Sequence, residues 1–397
     1  MSTWLVFLLC FVAVATGWLL ARLPLADYWL RLRNRGWHQH YMRGIQLLMR
    51  EQSDQAIEHF IQQWPVNPDN VDLHNALANM LRKKGEVERA VRIHTHVLEC
   101  NRLSQVQIRQ ATIELARDYI AAGLLDRAER LLINVVNNTS NYDERALELL
   151  QRVYQTEKEW RKAITVAEQL LPKRSLTFSD TQRVSARQAI DIAHYYCEIA
   201  DQALQEHNYH EAERALNQAL AVNPACARAT ITQARLALKK GQLQQARDWL
   251  ARVPEQDSRL LSECVSLLRA AWADQPEQAL QQQLLQLLEN YPSAALELAL
   301  YEQMAGSDRE QALAFLRQRV SKRPTLQGLN RLIREQQAGQ DDDETLVLLQ
   351  RLSHDILSHK PVYQCRECGF AGQQMHWLCP QCKRWDTIRR IRGSEGD

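Results

Sequence analysis

Residues 37–70, WHQHYMRGIQLLMREQSDQAIEHFIQQWPVNPDN, and the 34 that follow, VDLHNALANMLRKKGEVERAVRIHTHVLECNRLS (71–104), decide the fold. Each stretch reads as two short amphipathic helices around a polar turn, and the second repeats the first, with Gly44 matched by Ala78 and Ala56 by Ala90. Followed along the chain, the alanine of the second helix recurs at Ala56, Ala90, Ala128, Ala163, Ala212, Ala246, Ala279 and Ala312, at spacings of 34, 38, 35, 49, 34, 33 and 33. Twelve places earlier stand small residues (Gly44, Ala78, Ala116, Ala200, Ala234), which let two helices approach closely. Glycines at the turn (Gly85, Gly123, Gly241) suit a helix C-cap, and prolines twelve places after the alanine (Pro68, Pro224, Pro324) close the unit. One such pair cannot bury its own apolar face, so neighbours must stack on a continuous core.

Period and alanine together resemble the tetratricopeptide family, which implies an all-α superhelix with a concave binding surface, about nine repeats over residues 37–360. The fourth and seventh repeats match least, since Gln151 takes the small-residue position and Pro292 is displaced by one. The step of 49 places a loop at Pro172 to Ser179 and a long helix from Asp180 to about Glu206, a possible break in the array near 172–192. Leu326 to Gln337 and Glu344 to Ser358 read as a final pair, with Asp341, Asp342, Asp343 and Glu344 as the favourable charges of a helix start rather than a calcium site. Pro361 ends that pair and leaves little linker, so the next module is expected close to the final repeat.

That module, residues 361–397, holds Cys365-Arg366-Glu367-Cys368-Gly369 and Cys379-Pro380-Gln381-Cys382. Two residues between cysteines let one tight turn present both thiolates to one ion, and a following glycine permits the positive φ such a turn needs. Four thiolates make a closed tetrahedral site for one structural ion, zinc or iron. The pattern resembles a shortened rubredoxin-like knuckle pair, with Lys383 where a second glycine is expected. Apolar side chains here are few (Tyr363, Phe370, Trp377, Leu378, Trp385, Ile388), so the metal is expected to hold the module together. Paired disulfides or a redox-active C-x-x-C are the rival, and a reducing compartment argues against them. The other cysteines (Cys10, Cys100, Cys197, Cys226, Cys264) form no motif and read as small buried side chains.

At the other end Trp4 to Ala21 is apolar apart from Thr16, just long enough to span a bilayer. No Lys or Arg precedes it, against a cleaved signal peptide, while Arg22, Arg31, Arg33 and Arg35 follow. Residues 1–21 are therefore expected to be a single-pass anchor, with 22–36 a basic juxtamembrane segment suited to anionic lipid. The positive flank puts the amino terminus outside and all else in the cytoplasm.

The chemistry left out matters as much. A net charge of +2 exerts no global pull on nucleic acid. There is no phosphate-cradling glycine loop, no G-x-S-x-G elbow and no H-E-x-x-H helix, and a closed four-cysteine shell leaves no position for substrate. No enzyme is expected. His38 with His40, and His94 with His96, lie two apart and are expected at the surface or partly buried. The tail Lys383, Arg384, Arg389, Arg390 and Arg392 beside Trp385 reads as a solvated or partner-facing surface before it reads as a nucleic-acid footprint.

Anchor, repeat array and four-cysteine module in this order resemble the lipopolysaccharide assembly protein B family of Gram-negative bacteria, whose metal ligands match Cys365, Cys368, Cys379 and Cys382. The resemblance implies an inner-membrane adaptor, amino terminus periplasmic and bulk cytoplasmic, that regulates lipopolysaccharide synthesis. It implies as partners an FtsH-type membrane protease, the lipid A pathway deacetylase whose degradation it promotes, and other lipopolysaccharide synthesis or regulatory membrane proteins. Two other readings of the residues are a membrane-bound rubredoxin-like electron carrier and a nucleic-acid-binding zinc ribbon.

Overall fold

The computed structural model describes residues 66–138, 143–171, 180–337 and 344–391 and a few isolated earlier positions; at 180–185, 337 and 344–346 it describes the backbone alone. Almost all of the expected anchor, the basic segment, Gly44, Ala56, His38, His40, the loop 172–179, Asp341 to Asp343 and Arg392 lie outside the described residues. Among the described residues no helix is long and apolar enough to cross a membrane. The chain divides into two units, Met1–Val153 and Tyr154–Asp397.

The first unit stacks α1 (Val71–Lys83), α2 (Val87–Leu98), α3 (Gln105–Ala121) and α4 (Leu125–Asn137), and leads into α5 (Glu144–Glu157). Leu77, Ala78 and Leu81 share one face of α1, and Ala90, Ile93 and Val97 one face of α2; all six are buried as the two helices pack. Ser104 opens α3 with a capping box, its hydroxyl accepting from the Gln107 amide while the Gln107 side chain accepts from the Ser104 amide. His94 departs from expectation. It is wholly buried, its Nδ1 2.5 Å from Asp118 Oδ2, while Arg82 donates to Asp118 Oδ1 at 2.6 Å and to Glu114 Oε2 at 2.9 Å. A histidine can leave water there because a charged network across α1, α2 and α3 receives it. His96 is half-buried, 3.4 Å from Glu99.

The second unit continues with α6 (Trp160–Gln169), α7 (Asp180–Gln205), α8 (Tyr209–Val222), α9 (Ala227–Lys239) and α10 (Leu243–Leu250). A short α11 (Val253–Asp257) and a 3-10 turn at Ser258–Leu260 precede α12 (Leu261–Ala271), α13 (Glu277–Asn290), α14 (Ala294–Ala305), α15 (Arg309–Lys322), α16 (Leu326–Gln337) and α17 (Glu344–His359). The long helix after the step of 49 is α7, and α16 packs on α17 as a closing pair. Ala90, Ala128, Ala163, Ala212, Ala246 and Ala312 are each 0% exposed. Ala279 is not: in a repeat that carries the extra short α11 and the turn, Leu280, one place on, takes the interior place.

This contrast is testable, because a large side chain at a closed seam forces neighbours off their rotamers at a cost of about 1 to 3 kcal/mol. Ala246→Leu is expected to lower the melting temperature of the metal-loaded protein by several degrees, and Ala279→Leu to leave it nearly unchanged. Equal melting of the two variants in a thermal scan would show the register to be misplaced.

Five places before the alanine the chain takes a left-handed turn, at Gly85, Gly123 and Gly241 (φ 86, 74 and 73) and equally at Lys158 and His207 (φ 61 for both). The next amide then reaches five residues back: Glu86 to Leu81, Leu124 to Tyr119, Glu159 to Tyr154, Asn208 to Ala203 and Gln242 to Ala237, at 2.8 to 3.0 Å. Two repeats lack the glycine and close their helices in the same way.

The repeats are all-α as expected, and among the described residues beyond Pro361 the separate knuckle module is built on short strands instead. β1 (Tyr363–Cys365) pairs antiparallel with β2 (Ala371–Gly372) and with β3 (Ile388–Arg390), in the order β2-β1-β3. The first knuckle is a hairpin turn, and its arms pair as strands.

Candidate metal centre and its seat on the repeats

Tyr363, Cys365, Cys379 and Ile388 form the module's buried cluster, flanked by Phe370 and Met375. Within it the two knuckles are built alike. The Cys365 amide donates to Phe370 O (2.7 Å) and the Gly369 amide to Cys365 O (3.1 Å); the Cys379 amide donates to Arg384 O (2.9 Å) and the Lys383 amide to Cys379 O (3.0 Å). Gly369 has φ 77 and Lys383 φ 56, so the lysine adopts the backbone that glycine would.

The turns bring all four expected ligands together: the Sγ atoms of Cys365, Cys368, Cys379 and Cys382 lie within 4.8 Å of one another. Cys365 is 3.8 Å from Cys382 and Cys368 is 3.6 Å from Cys379. A tetrahedral ion holding thiolates at about 2.3 Å sets its sulfurs about 3.8 Å apart, so the donor set fits one structural metal ion. Charge demands it too. Burial and the neighbouring sulfurs push the Cys382 thiol up to about 12, while against burial the Thr387 hydroxyl and backbone amides hold Cys365 down to about 6, so a cation is needed for Cys382 to join Cys365 as thiolate. Cys365 and Cys379 are buried, and the bound ion would supply cross-linking rather than an open coordination position.

The module does not stand apart. Trp385, beside the second knuckle, is 1% exposed, and its indole lies among residues of the repeats. His194 stacks on it at 5.0 Å and 10°, while Tyr195 and Trp160 meet it edge-on at 6.0 and 6.2 Å. Gln155, at the end of α5, reads this corner with one amide. Its Oε1 accepts from Trp385 Nε1 and from the Tyr195 hydroxyl, each at 3.0 Å, and its Nε2 donates to Lys383 O at 3.1 Å. The left-handed Lys383 is thus held by the repeats themselves.

Around the indole the contacts are ionic. The Arg228 guanidinium lies 5.7 Å from the rings of both Trp377 and Trp385, and its Nη2 donates to Glu198 and Asp201 at 2.8 and 2.7 Å. Arg389 pairs with Asp257 at 3.1 Å and with Asp386 at 2.9 Å. Tyr363 donates its hydroxyl to Glu263 at 2.5 Å, and burial, then this carboxylate, pushes the phenol up to about 12. Burial holds His194 well below the usual histidine range, with Arg228, Arg389 and Arg187 adding to it, so the ring stacks on Trp385 as neutral imidazole. Desolvation likewise raises the Asp191 carboxyl to about 6, against the charges of Arg187 and Arg384.

Three expectations change here. The aromatic residues read as a meagre core of the module are partly its docking face, since Trp385 fills the seat and Trp377 and Met375 pack against the core of α9 to α14. The module does lie against the end of the final repeat, where Gln373 donates to Ser358 O at 3.1 Å and to Lys360 O at 2.5 Å, but its buried rings are seated on earlier helices. Of the basic residues, Arg389 turns inward to Asp257 and Arg390 lies over the Tyr363 ring at 5.9 Å, while Lys383 and Arg384 stay exposed as expected, Arg384 pairing with Glu367 at 2.5 Å on the module's own surface.

Gln155, His194, Tyr195, Arg228, Asp257 and Glu263 went unseen in the sequence, although α7 carried a signal. Gln188, Asp191, His194, Glu198 and Asp201 recur at steps of three and four, a polar stripe down a helix whose other face is core. Cys197 and Cys226, read as part of no motif, are both buried, and burial followed by the neighbouring Cys226 pushes the Cys197 thiol well up.

The module matches the rubredoxin metal binding domain over residues 363–390, and tetratricopeptide repeat models match residues 73–102 and 203–271. Lipopolysaccharide assembly protein B of Escherichia coli strain K12 is 33% identical over 398 residues, covering 99% of both chains. The protein of the same name from Haemophilus influenzae strain Rd is 29% identical over 414 residues, covering 98% of this chain and 99% of that one. Among solved structures, the MamA protein aligns over 49% of this chain with 17% identity and a TM-score of 0.32.

Proposed function

Because this chain belongs to the lipopolysaccharide assembly protein B family, we propose that it is a helical-repeat adaptor, not a catalyst, that regulates lipopolysaccharide biosynthesis. The observation that carries this reading is the seat of the four-cysteine module. Its ion, zinc or iron, cross-links a small fold that is spent on packing against α6, α7, α9 and α12, an investment in shape rather than in an open reaction site.

In its finer form the proposal places residues 1–21 across the inner membrane, amino terminus in the periplasm and repeats in the cytoplasm. There the protein brings the lipid A pathway deacetylase to an FtsH-type protease. A soluble enzyme held beside a membrane protease by one scaffold gains effective concentration without new catalytic chemistry. Deletion of residues 1–21 is the test. The truncated protein is expected to keep its helical circular dichroism and its metal, while the deacetylase half-life lengthens to about that in cells lacking the protein. A half-life equal to wild type would refute the need for membrane placement.

A further inference from the structure

A cavity of about 480 Å³ opens between the module and the repeats, lined by Ser258, Arg259, Asn290, Ser293, Arg323 and Arg390, with Tyr291 and Pro292 as its apolar wall. Three guanidiniums face one space and no acidic residue lines it. Arg259 spends its Nε and Nη2 on Asp257, at 2.6 and 2.8 Å, which orients it and offsets one charge. Arg390 lies over the Tyr363 ring. Arg323 is half-buried at the end of α15, and its buried Nη1 has no hydrogen-bond partner among the described residues. Ser293, the N-cap of α14, lines the cavity, so the positive end of a twelve-residue helix also meets it.

We propose that this cavity binds a phosphomonoester on a head the size of a monosaccharide. Planar guanidinium forks match a phosphate doubly bonded along its edges, and a helix start adds amides of the same preference. A bare phosphate fills only a small part of the volume, which falls in the range of small-molecule sites. Asn290 and Ser258 supply neutral polar groups for hydroxyls, and Tyr291 with Pro292 an apolar wall for a ring. Since Arg390 comes from β3 and the rest from the repeats, the ligand bridges the module to the stack. This site does not depend on the adaptor reading.

Calorimetric titration of the full-length, metal-loaded protein in neutral detergent micelles tests it, with inorganic phosphate, glucose 6-phosphate and micelles doped with phosphatidic acid as probes. Saturable binding of glucose 6-phosphate supports the site, whereas binding of inorganic phosphate or phosphatidic acid without binding of glucose 6-phosphate contradicts the sugar-sized head and overturns it. Arg323→Gln is expected to weaken binding by about tenfold or more, as a lost charge-assisted pair does. Arg323→Lys should fall between, and both should melt like wild type without ligand. Absence of saturable binding by every probe, or binding undiminished in Arg323→Gln, overturns the proposal.

Discussion

Cys368→Ser in the full-length protein is expected to unfold residues 363–390 and to bare the repeats that seat them. The module's own cluster is little more than Tyr363, Cys365, Cys379 and Ile388 with a few partly buried neighbours, too small to fold unaided. Binding of a four-thiolate ion is therefore folding free energy, on the order of 10 kcal/mol. Loss of one ligand removes the closed shell and leaves three sulfurs crowded without their cation. Once the strands open, Trp385 leaves His194 and Tyr195, Gln155 loses two of its three partners, and Arg228 loses both indole faces. Hydrogen exchange should accordingly quicken across the module and around 191–201, with α16 and α17 changed only near the Gln373 tether. Deprotection that spreads instead along α16 and α17 would place the seat wrongly, and unchanged protection everywhere would mean that the cysteines hold no structural ion. Acidification should act in the same direction as the substitution. Thiolates must shed protons to bind metal, so metal content falls as pH falls, and chelator at neutral pH should reproduce the exchange pattern.

Why the repeats could be read in advance and the seat could not follows from where each piece of information lies. An alanine at a helix seam is dictated by its own repeat, because nothing larger fits where two helices cross, so a period of 33 to 38 exposes it directly. The left-handed turn is equally local. Gly85, Gly123 and Gly241 announce it, and Lys158 and His207 carry it by register even though their side chains speak against it. The cysteine spacing is local too, and all four thiols meet. The seat draws Gln155, His194, Arg228, Asp257 and Glu263 from helices that sit together only after the repeats have stacked. Periodicity says which face of α7 is polar but not what covers it. In the sequence Trp377 and Trp385 read only as two of the module's few apolar side chains, with nothing to say what they cover. In the folded chain the metal frees those rings for the partner surface.

That division of labour separates two effects that would otherwise look alike, and Trp385→Ala isolates the second. Removing a wholly buried indole costs about 3 to 5 kcal/mol. The loss here falls on docking, because the ring projects away from the sulfur cluster into α5, α6 and α7. His194, neutral and buried, is left without its stacking partner, and Gln155 Oε1 keeps only the Tyr195 hydroxyl. Metal content is expected to stay at one ion per chain, in contrast to Cys368→Ser, while hydrogen exchange rises at 191–201 and the melting temperature drops by several degrees. Trp385→Phe should recover part of the packing and none of the bond to Gln155. If Trp385→Ala loses its metal as Cys368→Ser does, the indole belongs to the module's own core and the seat is secondary. Under the adaptor function proposed above, a Trp385→Ala protein that retains its ion while deacetylase turnover fails in cells would show that what function needs from the metal is the docked surface the ion makes possible, since the ion itself is still in place.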